Sequence, residues 1–125
     1  MNSTVATRIT ALMGLLAVAL GALGAHGLKN HLDAYLMGVW EKAVFYQFIH
    51  ALGLLIVPLF ARAGVLAESS MAWVCWLLLA GILIFSGSLY LLAVTGTRML
   101  GAITPFGGVA FIAAWLLLAW KLIRR

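Results

Sequence analysis

The chain has 125 residues, 66% of them hydrophobic, at a mean hydropathy of +1.15, with eight basic and three acidic side chains and a net charge of +5. Charges this sparse exclude a soluble globular domain, a disordered tail and a nucleic-acid-binding module. The basic excess is bunched at the C-terminus, in Lys121, Arg124 and Arg125, where it reads as membrane-flanking cations.

The charged residues leave four charge-free intervals, 9–28, 43–61, 69–97 and 99–120. Each is long enough to cross a hydrocarbon core of ~30 Å as a helix rising ~1.5 Å per residue. None shows the period-2 polarity of barrel strands, so helices are the way to satisfy the backbone in lipid. The expected fold is all-α: one integral membrane domain over 1–125, an antiparallel four-helix transmembrane bundle with a short outer interfacial helix. Its spans are predicted at about 6–27, 43–61, 70–94 and 99–121.

In the first span, Arg8 followed by an apolar run and the stretch Gly21-Ala22-Leu23-Gly24-Ala25 have the look of a signal peptide. The run is longer than a usual h-region of ~7–15 residues, so the segment counts as a retained span. Ala17, Gly21 and Ala25, with Gly14, form a small-residue stripe. Gly101 and Gly108, and Gly107 with Ala110 and Ala114, do the same in the fourth span. Lipid is as apolar as leucine, so such stripes serve close helix packing, within one chain or between copies.

The outer connection, 29–42, carries Leu32, Tyr35, Leu36, Val39 and Trp40 at helical spacing. Asn30 is the predicted cap, with Asp33 in the first turn. A helix over about 31–41 is expected, lying in the outer interface or leading without a break into the second span. The other connections, 62–68 and about 95–98, are tight and make consecutive helices antiparallel neighbours. With both termini on one side, that side carries Arg8, Arg62, Lys121, Arg124 and Arg125, against Lys29, Lys42 and Arg98 on the other. The positive-inside rule then places both termini in the cytoplasm. Of the five tryptophans, three fall near predicted interfaces, while Trp115 lies deeper as a packing residue.

Placing each polar residue at its depth gives one layer. His26 ends the first span; Tyr46, Gln47 and His50 lie one to two turns into the second; Ser86, Ser88 and Tyr90 occupy the outer half of the third; Thr104 and Pro105 open the fourth. Tyr46 and His50 are spaced i, i+4 and Gln47 and His50 i, i+3, so both are expected to flank the imidazole. Pro105 is expected to free the carbonyl near Gly101. An intramembrane histidine is a functional candidate by default, and the bland reading is interhelical glue through Ser86, Ser88 or Tyr90. The predicted ligand-binding set is therefore His50, Gln47, Tyr46, Ser86, Ser88, Tyr90, His26 and Thr104.

No metal site or cofactor is expected. Cys75 lies near the inner side, most of the membrane thickness away from the histidines, and no haem-attachment motif is present. Enzyme chemistry is not expected either, because the spans contain no carboxylate and no hydrolase or phosphate-loop motif.

Four motifs carry a family likeness: Gly21-Ala22-Leu23-Gly24-Ala25-His26, Tyr46-Gln47-Phe48-Ile49-His50, Phe85-Ser86-Gly87-Ser88-Leu89-Tyr90 and Ile103-Thr104-Pro105-Phe106-Gly107-Gly108. Through them the chain resembles the uncharacterised YgdD-like family of small bacterial inner-membrane proteins. The resemblance covers nearly the whole chain and implies four helices in the bacterial inner membrane, without a reaction, ligand or partner. The expected function is that of a non-enzymatic inner-membrane protein whose outer-half polar pocket binds a small ligand, lipid headgroup or ion, with transport as an option. The alternative is a structural or accessory subunit of a larger membrane complex. The expected partners are the lipid bilayer and a homo-oligomer or larger complex, not nucleic acid.

Overall fold

Where each helix starts and stops follows from its capping groups. Asn2 accepts from the Val5 amide at 2.8 Å to open the first helix, α1 (Ser3–Ala22), which continues as a π turn over Leu23–Gly27. Asp33, rather than Asn30, opens α2 (Ala34–Arg62), its Oδ1 accepting from the Leu36 amide at 2.8 Å. A carboxylate both fills an orphan donor and suits the positive end of the helix dipole. At the turn on the side of both termini, called inner after the expected orientation, Gly64 adopts φ 71° and the Val65 amide reaches back to the Phe60 carbonyl at 2.9 Å; at the turn on the other side, called outer, Gly96 adopts φ 69° and its amide bonds the Leu92 carbonyl at 2.8 Å. These left-handed positions end the helices sharply.

The third span comprises α3 (Glu68–Gly81), a π turn over Ile82–Ser86 and α4 (Gly87–Thr95). A 3-10 turn over Arg98–Ala102 leads into α5 (Thr104–Ile123). This computed structural model describes all 125 residues and contains no strand. Four helical spans, Ser3–Gly27, Ala34–Arg62, Glu68–Thr95 and Arg98–Ile123, are long and apolar enough to cross a membrane.

The second and third spans form the centre of the bundle. The first packs mainly on α2, and the fourth on α3 and its π turn. The flanking helices bury only narrow stripes, Ala6, Met13 and Ala17 in α1 and Gly107, Phe111, Ala114 and Leu118 in α5. Leu54, Val57, Met71, Val74, Cys75 and Leu78 fill the inner half of the core. At the outer end the Arg98 guanidinium sits 5.1 Å from the Tyr35 ring centroid, and at the inner end Arg124 lies 3.9 Å from that of Trp120. Trp73, Trp76 and Trp120 are exposed toward the inner end, where amphipathic rings prefer the interface.

Of the two placements expected for the outer amphipathic segment, the structure takes the second: it is no separate interfacial helix over 31–41 but the start of α2, which runs on into the second span. Trp40 explains why: its ring is buried, its Nε1 donates to the Leu20 carbonyl at 2.9 Å, and it meets Tyr90 edge-on at 4.7 Å between centroids. Those contacts hold the segment upright against the bundle. The 29 residues of α2 consequently reach ~13 Å beyond a ~30 Å hydrocarbon core.

Close helix approach matches the predicted stripes at Ala17, Gly107 and Ala114, which are buried, but not at Gly14 or Gly21. A methyl group added at Gly14 would meet nothing within 4 Å, and one at Gly21 only Val44, at 3.4 Å. The tight sites are Gly24 against the Trp40 indole, Gly81 against the Phe111 ring and Gly107 against the Phe85 backbone. Pro105 stands in the first turn of α5, a position that tolerates proline, and it offers the Gly101 carbonyl no N–H, as expected. The proline inside a helix is Pro58, and α2 continues through it.

Candidate functional site

Successive residues of an α-helix are ~100° apart. Tyr46 and His50 therefore project within ~40° of each other on α2, and Gln47 falls ~60° to the other side of His50. Their partners separate them further. His50 and Tyr46 turn toward α5, while Gln47 turns toward α1 and α4.

On the α5 side, His50 Nδ1 lies 2.7 Å from the Tyr46 carbonyl oxygen, which can only accept. The Trp115 indole, a donor only, gives its proton to His50 Nε2 at 3.1 Å. Both ring nitrogens are thus engaged, and the imidazole is the neutral tautomer protonated at Nδ1. Phe111 stacks on it with 3.5 Å between centroids and 10° between planes, and Tyr46 lies over Phe85 at 4.3 Å. Gly81 leaves room for the Phe111 ring, which a β-carbon there would strike.

On the opposite side, Gln47 joins three helices. Its Nε2 donates to the Met13 carbonyl at 2.9 Å, and its Oε1 accepts from the Tyr90 hydroxyl at 2.6 Å. The third-span π turn makes two further links. Ser86 donates to the Ala43 carbonyl at 2.8 Å, and Phe85 presents its backbone to Gly107 of α5. One turn on, the Ser88 and Thr104 hydroxyls share a 2.6 Å hydrogen bond. No buried side-chain nitrogen or oxygen lacks a partner.

The predicted set is therefore not gathered around one cavity. Tyr46 and His50 stand together; Gln47 and Tyr90 form a second cluster; Ser86 pairs with α2 and Ser88 with Thr104; His26 is exposed at the end of the first span. The imidazole partner is Trp115, not Ser86, Ser88 or Tyr90. Depth along a helix is readable from a sequence, but facing is set by rotation about the axis. The extra residue of the π turn changes that rotation. Phe111 and Trp115, spaced i, i+4 in α5, were the available signal for the missed half of the His50 site.

Tyr46, His50, Phe85, Gly108, Phe111, Ile112, Trp115 and Leu116 line a cleft of about 530 Å³ between α2 and α5, open sideways at the bundle surface. Ile112 and Leu116, both exposed, form its outer wall, which faces lipid once the spans cross a bilayer. With His50 engaged on both nitrogens, the Tyr46 hydroxyl is the side-chain donor left to the cleft. Cys75 stays away from all of this, buried in the inner core with its Sγ 3.7 Å from the Met71 sulfur.

Residues 20–108 match the family model described as "Protein of unknown function (DUF423)". The chain is 52% identical over 108 residues to a UPF0382 membrane protein of Staphylococcus saprophyticus, covering 86% of this chain and 88% of that one. It is 48% identical over 110 residues to the UPF0382 membrane protein YwdK of Bacillus subtilis, covering 86% and 87%. No solved structure matches it. The matched residues include the motifs of the first three spans and the Thr104-Pro105-Phe106-Gly107-Gly108 turn. The chain is a membrane protein and belongs to the DUF423 family.

Proposed function

We propose that this is a non-enzymatic protein of the bacterial inner membrane, with both termini cytoplasmic, that takes a flat, lipid-soluble ligand sideways from the bilayer into the α2–α5 cleft. One observation carries the reading. The cleft is walled by aromatic rings, opens at the bundle surface, and is lined by Tyr46, which carries a hydroxyl and whose ring centroid lies 5.9 Å from that of the fully engaged His50. Aromatic walls suit a planar apolar body, and one hydroxyl suits a single acceptor such as a carbonyl. An aqueous ion path has no comparable support, because the buried polar groups are consumed in pairs. The resemblance to the YgdD-like proteins and the excess of cations at the terminal side support the membrane and the orientation. A C-terminal phosphatase fusion is expected to be inactive and a C-terminal fluorescent fusion bright; the reverse pattern overturns the orientation.

Menadione, a planar carbonyl compound, is the probe for the cleft. Saturable binding to the detergent-purified protein is expected, weakened ~5-fold in Tyr46→Phe by loss of one hydrogen bond of ~1 kcal/mol. Gly108→Leu, which fills the cleft wall, is expected to abolish it. Non-saturable uptake, or affinities unchanged in both variants, overturns the reading.

The pairing of every buried polar side-chain atom favours a second reading, an accessory subunit in which the polar residues only fasten the helices. It is the one left standing if the probe binds nowhere and His50→Ala simply loosens the bundle.

A further inference from the structure

A second groove lies on the other side of α2, between it and the first span. Gly21, Gly24, Ala25, Trp40, Glu41, Val44, Phe45 and Phe48 line it, and its volume is about 340 Å³. The glycines and Ala25 keep the α1 wall low, so the groove is shallow on one side and aromatic on the other.

Glu41 is the only charged side chain in that lining. Lys42, the next residue, projects ~100° away around the helix. The level of Glu41 in the membrane follows from helix length. Arg62 marks the inner end of α2, and ~20 residues of helix span a ~30 Å core, which brings the outer edge of the hydrocarbon to about residue 42. The carboxylate thus stands at the headgroup level. Below it, toward the membrane centre, Val44, Phe45 and Phe48 continue the groove as apolar surface, with Phe45 and Phe48 exposed.

We propose that this groove holds the ammonium headgroup of a membrane lipid, of the phosphatidylethanolamine class, with the acyl chain lying along Phe45 and Phe48. The charge calls for a cation, and the aromatic rings beside the carboxylate favour an organic ammonium over a hydrated metal ion, since ring faces attract such cations. The apolar continuation on the membrane side calls for a tail. A free soluble cation would leave that part of the groove unused.

The test is native mass spectrometry of the full-length protein released from nanodiscs of equal phosphatidylethanolamine and phosphatidylglycerol. Preferential retention of phosphatidylethanolamine is expected, with the preference reduced at least tenfold in Glu41→Gln. That substitution is isosteric at an exposed position, so an unchanged melting temperature is expected alongside. In the unmodified protein, dodecyltrimethylammonium is expected to displace the retained lipid, and tetramethylammonium at the same concentration is not. Equal retention of the two lipids, a preference that survives Glu41→Gln, or equal displacement by the tailless cation overturns the proposal. Binding of menadione in the α2–α5 cleft is measured separately, so either site can fail alone.

Discussion

Gly107→Val is expected to lower the stability of the folded bundle by ~3 kcal/mol, at the upper end of what overpacking costs. A β-carbon at this position lands on the backbone nitrogen and Cα of Phe85, which are parts of a helix and cannot rotate away as a side chain can. The fourth span must therefore move off the third. Phe111 stands one turn further along α5, so the same displacement opens the His50 stack and lengthens the Trp115 to His50 hydrogen bond. The measurement is equilibrium unfolding in mixed detergent micelles, read by tryptophan fluorescence. Gly14→Ala is the matched control: its methyl group meets nothing, and replacing glycine inside a helix gains ~0.5–1 kcal/mol of propensity. Equal effects at the two positions would show that close approach at Phe85 does not hold the fourth span.

Gln47→Leu is expected to cost ~1–2 kcal/mol, because one side chain closes hydrogen bonds to both the Met13 carbonyl and the Tyr90 hydroxyl. Removing it strands the Tyr90 hydroxyl between helices and takes the second donor from the Met13 carbonyl, which keeps its place in the α1 ladder. The pair separates from mere packing in a double-mutant cycle. Tyr90→Phe alone should destabilise by ~1 kcal/mol, since it strands Gln47 Oε1, and should add little once Gln47 is already leucine. Strict additivity would mean that the two side chains act independently and that the 2.6 Å contact contributes nothing. The first span is tied to its neighbours by this link and by the Trp40 to Leu20 bond, beside the buried Ala17 of its small-residue stripe.

Much of the fold was legible before any coordinates. Crossing lipid requires only length, apolarity and internally satisfied backbone, and those are properties of the chain read in order. The helices begin and end within three residues of the expected span limits, except that α2 starts at Ala34, nine residues before position 43, and the tight connections close on Gly64 and Gly96. The outer helix was legible as a pattern but not as a continuation of α2, because the choice between lying in the interface and standing in the bundle depends on where Trp40 finds its acceptor.

Tyr46 and His50 were identifiable as a pair from their spacing, whereas Trp115, the donor that completes the imidazole, read as packing. A sequence specifies how far along a helix each residue lies, through a constant rise per residue. It does not specify which neighbour a residue faces, since that depends on the rotation of every helix about its own axis. Two π turns, at Leu23–Gly27 and Ile82–Ser86, reset that rotation within spans that read as uninterrupted helix. Composition and charge order thus determine a four-span membrane protein with its polar groups toward one end. Only the packed helices decide that those groups pair among themselves in separate clusters, leaving two grooves of different chemistry on opposite sides of α2.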